Sequence, residues 1–484
     1  MTLSTRILTT ATLAASVVIV ACVSPTAEQK FVTDLTTALG GRDKVDAARV
    51  LDIEGEGKNY NLGQDMKPDL ASQTFTVTGF HRVVDLTAPR MRTEQTRTPT
   101  FAYFQGPQAQ TQILGLDGDV GYNANQTGVM TRIAAAATRD RQAELYSHPL
   151  VIARELLQPN TRVANVTQNG AGATADVTTA DGVTLTIATD ATGLPSRIDW
   201  KTYHPNLGDV TIGTTFGGYQ DVGGLKLPTR IATKIDDFTT ADITVTKQST
   251  SAQPLDLSGP PNSLPAPVQT PPNVTIEPVG TGVWFLAGQS HHSVLVEFAD
   301  HLVLIDAPLS EARALAVIAK AREIVPGKPL TTLVTTHHHF DHTAGMRAAI
   351  SEGLKVVTQS GNKEWVEAMA RRSHSRQPDA LAKNPRAVVV EAVDDKLEMN
   401  DGTKTMVLYH VAGSPHSDTM LMAYLPAERA IVEVDVFSPG ASVHPYEANL
   451  LQNITRRQLK VDRIVPLHGA IAKFEELAKI DEKH

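Results

Sequence analysis

At 484 residues the chain is too long for one compact domain and predicts two or three. Its 41% hydrophobic and 20% charged residues are an ordinary globular composition. A net charge of −8, with no basic run, weighs against a nucleic-acid surface, so no nucleic-acid partner is expected.

Residues 1–21 hold one early cation, Arg6, followed by an apolar run from Ile7 to Ala21. That run is shorter than the about 20 apolar residues of a membrane span and suits the core of a signal peptide. It ends in Ile19-Val20-Ala21-Cys22, which resembles the lipobox of bacterial lipoproteins. The resemblance implies that Cys22 is acylated and becomes the mature N-terminus, anchoring the chain to a membrane. Val23 and Ser24 follow, with no aspartate to retain the protein at an inner membrane. In a Gram-negative host the expected address is therefore the outer membrane, facing the periplasm. An ordinary cleaved signal or an uncleaved anchor are the alternatives. Cys22 is the only cysteine, which excludes an intramolecular disulfide and any thiolate metal ligand.

Residues 22–252 read as a β-rich domain after a short helix. Gln73–Thr78 and Val183–Ala188 alternate polar and apolar side chains, and Gly and Asp turns separate such runs, as in an antiparallel meander. Asp190–Pro195 and Gly223–Pro228 are similar to turns of curved-sheet lipoprotein-sorting and periplasmic lipoprotein domains. That similarity implies an apolar concavity in a curved antiparallel sheet. Residues 253–273 carry seven prolines between Pro254 and Pro272 and predict a stiff, extended linker.

Residues 274–484 alternate strands and helices. Gly282–Ala287, Ser293–Phe298 and Leu302–Ile305 predict strands, and Glu311–Ile324 a helix. Leu330–Thr336 is β-branched and predicts a buried strand, while Thr343–Ile350 reads as a helix start. Between them, residues 337–342 read His-His-His-Phe-Asp-His. Crowding imidazoles and a carboxylate is costly unless a cation sits among them, and these side chains bind Zn²⁺, Fe²⁺ or Mn²⁺ at neutral pH. In an extended loop His337, His339 and Asp341 share one face, with His338 and Phe340 on the other. Two histidines can then hold one metal while Asp341 and His342 hold a neighbour about 3.5–4 Å away. The competing reading is a histidine-rich loop with incidental metal affinity.

The pattern His-x-His-x-Asp-His resembles the signature of the metallo-β-lactamase superfamily, and Thr335-Thr336-His337-His338-His339-Phe340-Asp341-His342 is similar to its glyoxalase II-like members. The resemblance implies an αββα sandwich, so the fold class is α/β, preceded by the mainly antiparallel β domain. It implies seven metal ligands: His337, His339, Asp341, His342, His416 (in Gly413-Ser414-Pro415-His416), Asp435 (ending Arg429–Asp435) and His468 (in Val465-Pro466-Leu467-His468). Asp306 matches a strand-end aspartate that supports the ligand loop. Val434 departs from the family, which commonly has Gly before the bridging aspartate.

The implied cofactors are two divalent ions, Zn²⁺ first, with Fe or Mn as alternatives. The implied reaction uses a metal-activated hydroxide to cleave an ester, thioester, lactone or amide (β-lactam) bond in a small-molecule substrate. Asp341 is the expected catalytic residue, orienting the hydroxide and passing its proton to the leaving group. His291, His292 and His444 fall in loops near the pocket, where contact with substrate and ordinary solvation are equally open. Two other classes remain. A single iron on His337, His339 and His416 would give a persulfide dioxygenase-like oxidoreductase. A lipid-binding envelope lipoprotein with a structural metal domain would be no enzyme.

Overall fold

The computed structural model describes residues 24–479 apart from 69, 102–107, 125–126, 171, 254–255, 260–261, 268–270 and 441–445. The signal segment 1–21, Cys22 and His444 lie outside the described residues.

The N-terminal domain is an antiparallel sheet, 13-stranded among the described residues. Alternation builds it: in Thr184–Thr189, Leu185 and Ile187 are buried while Thr184 and Thr186 are exposed. At its centre Phe238–Ser251 pairs antiparallel with Val50–Tyr60 and with Arg230–Ile235. Helices pack on one face. Thr26 caps Ala27–Ala38 by accepting from Gln29 N–H, and Phe31 and Leu35 of that helix join Leu51, Val77 and Val177 of the sheet in one core. Pro149–Glu155 adds Leu150 and Ile152 to that core. Between the sheet and the helix Ala135–Tyr146 lies a cavity of about 320 Å³. The expected concavity is therefore present but not purely apolar, because Arg82, Asp140, Glu144 and His148 line it beside Phe80 and Ile231.

The proline-rich segment is not a free spacer. Leu264 N–H donates to Met130 O (2.9 Å) and Leu264 O accepts from Arg132 N–H (2.8 Å), so the segment adds to the sheet edge beside Met130–Arg132. Leu257 is buried against Val50 and Val83. Proline forbids a regular ladder, but single residues between prolines still pair and pack.

The C-terminal domain is, among the described residues, a sandwich of a seven-stranded and a six-stranded sheet. Phe285, Val294, Val303 and Val334 of the first meet Leu408, Ala423, Val432 and Val465 of the second in one core. On the outer face of the first sheet Leu295, Leu304 and Leu333 pack against Ala314, Val317 and Ile318 of the helix Glu311–Ile324. Outside the second sheet the helix Tyr446–Arg456 contributes Leu450 and Ile454 to the core. This is an α/β architecture with helices outside two packed sheets.

Parallel pairs aim the site. Leu302–Ile305 runs parallel to Leu330–Val334, and Ala430–Glu433 parallel to Arg463–Pro466. Asp306, His337–His342, Asp435 and His468 all follow the C-terminal ends of these strands, where open sheets leave a crevice. The helix after the histidine cluster starts earlier than Thr343 and is broken. One turn, Phe340–Thr343, already includes Asp341 and His342, and Met346–Ser351 follows. The break falls at Gly345, where a Cβ would stand 2.3 Å from Ala314 Cβ, so the chain approaches the neighbouring helix too closely for a side chain.

The domains meet over polar and apolar contacts. Leu207 and Val210 of the β domain are buried in the same core as Leu302 and Met369. Asp209 accepts hydrogen bonds from Ser373 Oγ (2.6 Å), Ser375 N–H (2.8 Å), Ser375 Oγ (2.6 Å) and Arg376 N–H (2.9 Å). Arg372 reaches Leu207 O and Asp236.

Candidate metal centre

The segment after Leu330–Val334 alternates direction. His337 and His339 turn to one side with His416 and Asp435, and one ligand atom from each lies within 4.8 Å of all the others. His338 turns away, with its ring 5.9 Å from Trp365 and its Nδ1 3.3 Å from Thr419 Oγ1. Phe340 also turns away, onto His204 of the β domain, with ring centroids 5.5 Å apart. At Asp341 and His342 the helical turn redirects the chain into a second group with His468 and His291, again with ligand atoms within 4.8 Å of one another.

The support beneath these groups fixes which ring nitrogens face inward. Asp306, fully buried, accepts from Thr336 N–H (2.8 Å), Thr336 Oγ1–H (2.7 Å) and His342 Nδ1–H (3.1 Å). His342 thus presents Nε2, 3.1 Å from Asp435 Oδ2 and 3.1 Å from His468 Nε2. His339 donates Nε2–H to the Asp65 carbonyl (2.9 Å), which leaves Nδ1 as its lone-pair atom. Asp435 stands between the groups. Its Oδ2 is 3.1 Å from His416 Nε2 and 3.3 Å from His337 Nε2, and its Oδ1 is 2.8 Å from His468 Nε2.

Asp306 and Asp435 both hold left-handed backbone, at φ +57° and +58°. Non-glycine residues there are uncommon and cluster at functional sites. The strain falls on Asp435 itself, whereas Val434, which replaces the family's usual glycine, is simply buried in the core. Glu433 secures this turn. Its buried carboxyl accepts from Val436 N–H (3.3 Å) and Phe437 N–H (3.2 Å), and burial pushes its pKa well above the usual range.

Electrostatics describe a cluster shaped for cations. Burial pushes the His337 imidazole down to about 4 and His338 to about 3, and takes His339 well below its ordinary value. Burial alone would also lower His342, but Asp435 and Asp306 outweigh it and raise that ring well above. Asp435 is held well below the carboxylate range, because His342 and His416 overcome the effect of its burial. At His337 and His339, neutral rings with inward lone pairs are what a cation needs.

The fit to metal ions can be read from orphaned atoms. His337 Nε2, His339 Nδ1 and His416 Nε2 are buried and make no hydrogen bond of good geometry, although the Asp435 carboxylate lies beside two of them. Buried polar atoms are rarely left so, and three pointing into one space indicate a missing partner. The donors are nitrogen and carboxylate oxygen, three imidazoles and one carboxylate in each group, a set suited to Zn²⁺, Fe²⁺ or Mn²⁺.

The structure thus brings together all seven ligand positions expected from the sequence and adds His291. Its Nε2 lies 3.1 Å from Asp341 Oδ2, and its ring centroid 3.7 Å from that of His468. His292 has a structural role: its N–H donates to Leu467 O (2.9 Å), tying the 288–292 loop to the strand end that carries His468. Gly288 N–H donates to His292 Nδ1 (3.2 Å), so that ring braces its own loop. Gln64 and Asp65 of the β domain also touch the centre, and no motif in residues 61–73 marks them.

A family model described as "Metallo-beta-lactamase superfamily" matches residues 286–430. A curated relative, 2,4-dinitroanisole O-demethylase subunit alpha from Nocardioides sp. (strain JS1661), is 26% identical over 187 residues, which are 38% of this chain and 52% of the relative. The chain thus spans about half the length of that relative. Similar solved structures include the metallo-beta-lactamase FIM-1 from Pseudomonas aeruginosa in its mono-zinc form (18% identity, TM-score 0.34, 43% of this chain and 95% of that one). A metallo-beta-lactamase from Hirschia baltica matches at 17% identity and TM-score 0.33, over 42% of this chain and 94% of that one.

Proposed function

The C-terminal domain belongs to the metallo-β-lactamase superfamily, and from that premise we propose that the chain is a dinuclear metal-dependent hydrolase of a small-molecule substrate. His337 Nε2, His339 Nδ1 and His416 Nε2 would hold one cation, and His291, Asp341, His342 and His468 the other, with Asp435 between them. Bound there, divalent cations, Zn²⁺ first, supply Lewis acidity and bring the pKa of an attached water to about 7. The observation that carries this reading is the convergence of three orphaned, buried imidazole nitrogens beside a second complete donor group.

The chain's own residues do the rest. Asp341 remains partly open, with its side chain 34% exposed, and hydrogen bonds with His291 and electrostatic attraction to His342 hold its carboxylate ionised despite burial. The ionised carboxylate can hold a cation and accept a hydrogen bond that orients the nucleophile, and its open side is where we assign the relay of the proton to the leaving group. Side chains of Asp435, His416 and His468 are 13%, 17% and 24% exposed, so the groups open to solvent on one side. That access favours catalysis over a closed structural site. A mononuclear iron oxygenase would need only the first group, and the four donors of the second favour two ions.

The bond cleaved is proposed as an ester, thioester, lactone or amide, β-lactams included. The demethylase relative adds nitroaryl methyl ethers to the substrates worth testing. A chromogenic panel of these classes, run before and after metal stripping, tests the proposal. Activity on at least one class should vanish on stripping and return with Zn²⁺. Full activity in metal-free protein would refute it. The Ile19–Cys22 pattern supports a proposed lipid anchor at Cys22, which would put this chemistry in the cell envelope.

A further inference from the structure

The β domain reaches into the metal centre through the loop joining Val50–Tyr60 to Thr74–Asp85. Phe340 N–H donates to Gly63 O (3.1 Å), Gln64 Nε2 donates to Asp341 Oδ1 (2.8 Å), His339 Nε2–H donates to Asp65 O (2.9 Å), and Asp418 N–H donates to Met66 O (2.7 Å). From the same domain Asn206 Nδ2 donates to Phe340 O (3.0 Å), so the ligand loop is gripped from two places. The approach is close. Gly63 holds φ +79°, and a Cβ there would stand 2.3 Å from the Phe340 ring.

Two of these bonds end on metal-facing side chains. The Asp65 carbonyl requires hydrogen on His339 Nε2 and so makes Nδ1 the coordinating atom, the same atom that lacks any partner. Gln64 occupies Asp341 Oδ1 and leaves Oδ2 for the second group, where it lies 3.1 Å from His291 Nε2. Outer partners of this kind fix ligand tautomer and orientation, and losing one typically costs about 10–100-fold in metal affinity.

We propose that Gly63–Met66 is a positioning element of the metal centre supplied by the other domain, with Gln64 selecting the oxygen that Asp341 offers and the Asp65 carbonyl selecting the nitrogen that His339 offers. The inference rests on the dinuclear reading above. It gives the β domain a role in the chemistry: the C-terminal domain contains every ligand but not the groups that orient two of them.

The test is Co²⁺ titration of the full chain, followed by its visible absorption and by chelator competition. Gln64→Leu should weaken the second equivalent about tenfold or more and shift its spectrum while the first equivalent holds. Gly63→Val, which forces the loop off Phe340, should weaken both. Asp209→Asn, which loosens the domain contact away from the ligands, should leave both unchanged. Wild-type affinity and spectrum in Gln64→Leu would overturn the inference, as would an equal loss in Asp209→Asn, which would mean that docking alone matters. If Gly63→Val does not fold, Gln64→Leu decides by itself. A wild-type chain that takes up no cobalt would overturn the metal reading, and this inference with it.

Discussion

His291 and Asp341 face each other at 3.1 Å across the second donor group, and each also holds a partner behind it, Ser290 Oγ and Gln64 Nε2 respectively. Removing one imidazole from four donors should loosen one ion only. His291→Ala is therefore expected to keep one metal equivalent and to lose about 10–100-fold in affinity for the other, read by chelator competition. Asp341→Ala removes both a ligand and the proton carrier, so turnover should fall at least about 100-fold, to the level of metal-stripped protein. Retained turnover in Asp341→Ala would remove it from the mechanism. Burial raises the Glu433 carboxyl, and Glu433→Gln keeps an acceptor for both N–H groups, so that substitution should be nearly silent. Glu433→Ala leaves the Val436 and Phe437 N–H groups without their buried acceptor and should cost about 1–3 kcal/mol in denaturant unfolding.

Among the elements, the parallel strands place the site and were readable because their apolar runs end in polar, metal-capable residues. The His-x-His-x-Asp-His pattern, and the family resemblance that pointed to His416, Asp435 and His468, named most of the residues that the structure gathers into the two donor groups. His291 was not readable, because a loop histidine turns inward only when something distant holds its loop, here the bond from His292 N–H to Leu467 O. The helix start at Phe340 was hidden for a similar reason: Thr343 looks like a cap, but its hydroxyl bonds back to His339 O (2.9 Å) within the turn. The proline-rich segment read as a spacer because composition cannot show that Leu257 and Leu264 dock on the sheet. At the domain contact Asp209 gives a pH prediction. Burial would raise its carboxyl, but bonds from Ser373, Ser375 and Arg376 outweigh this and hold it well below the usual carboxylate range. A depressed folded pKa adds stability above the unfolded value of about 3.9 and loses it as pH falls below that. Asp209→Asn should thus lower Tm at pH 7, and the gap from wild type should narrow on acidification below about pH 4. A gap independent of pH would mean that the carboxylate charge contributes nothing.

At the scale of the whole molecule, two domains share apolar contacts at Leu207 and Val210 and polar ones around the ligand loop. Metal binding to the folded state alone stabilises it by mass action, so metal stripping should lower Tm of the full chain and Zn²⁺ should restore it. No helix among the described residues is long and apolar enough to cross a membrane. The anchor proposed at Cys22 is tested by Cys22→Ser, which should move the protein out of the membrane fraction without changing its metal content. The central claim, two cations held by His337, His339, His416, Asp435 and by His291, Asp341, His342, His468, is tested most directly by elemental analysis of the purified full chain. Two equivalents of divalent metal per chain are expected. A single iron per chain would contradict the dinuclear centre, and no retained metal at all would contradict the site.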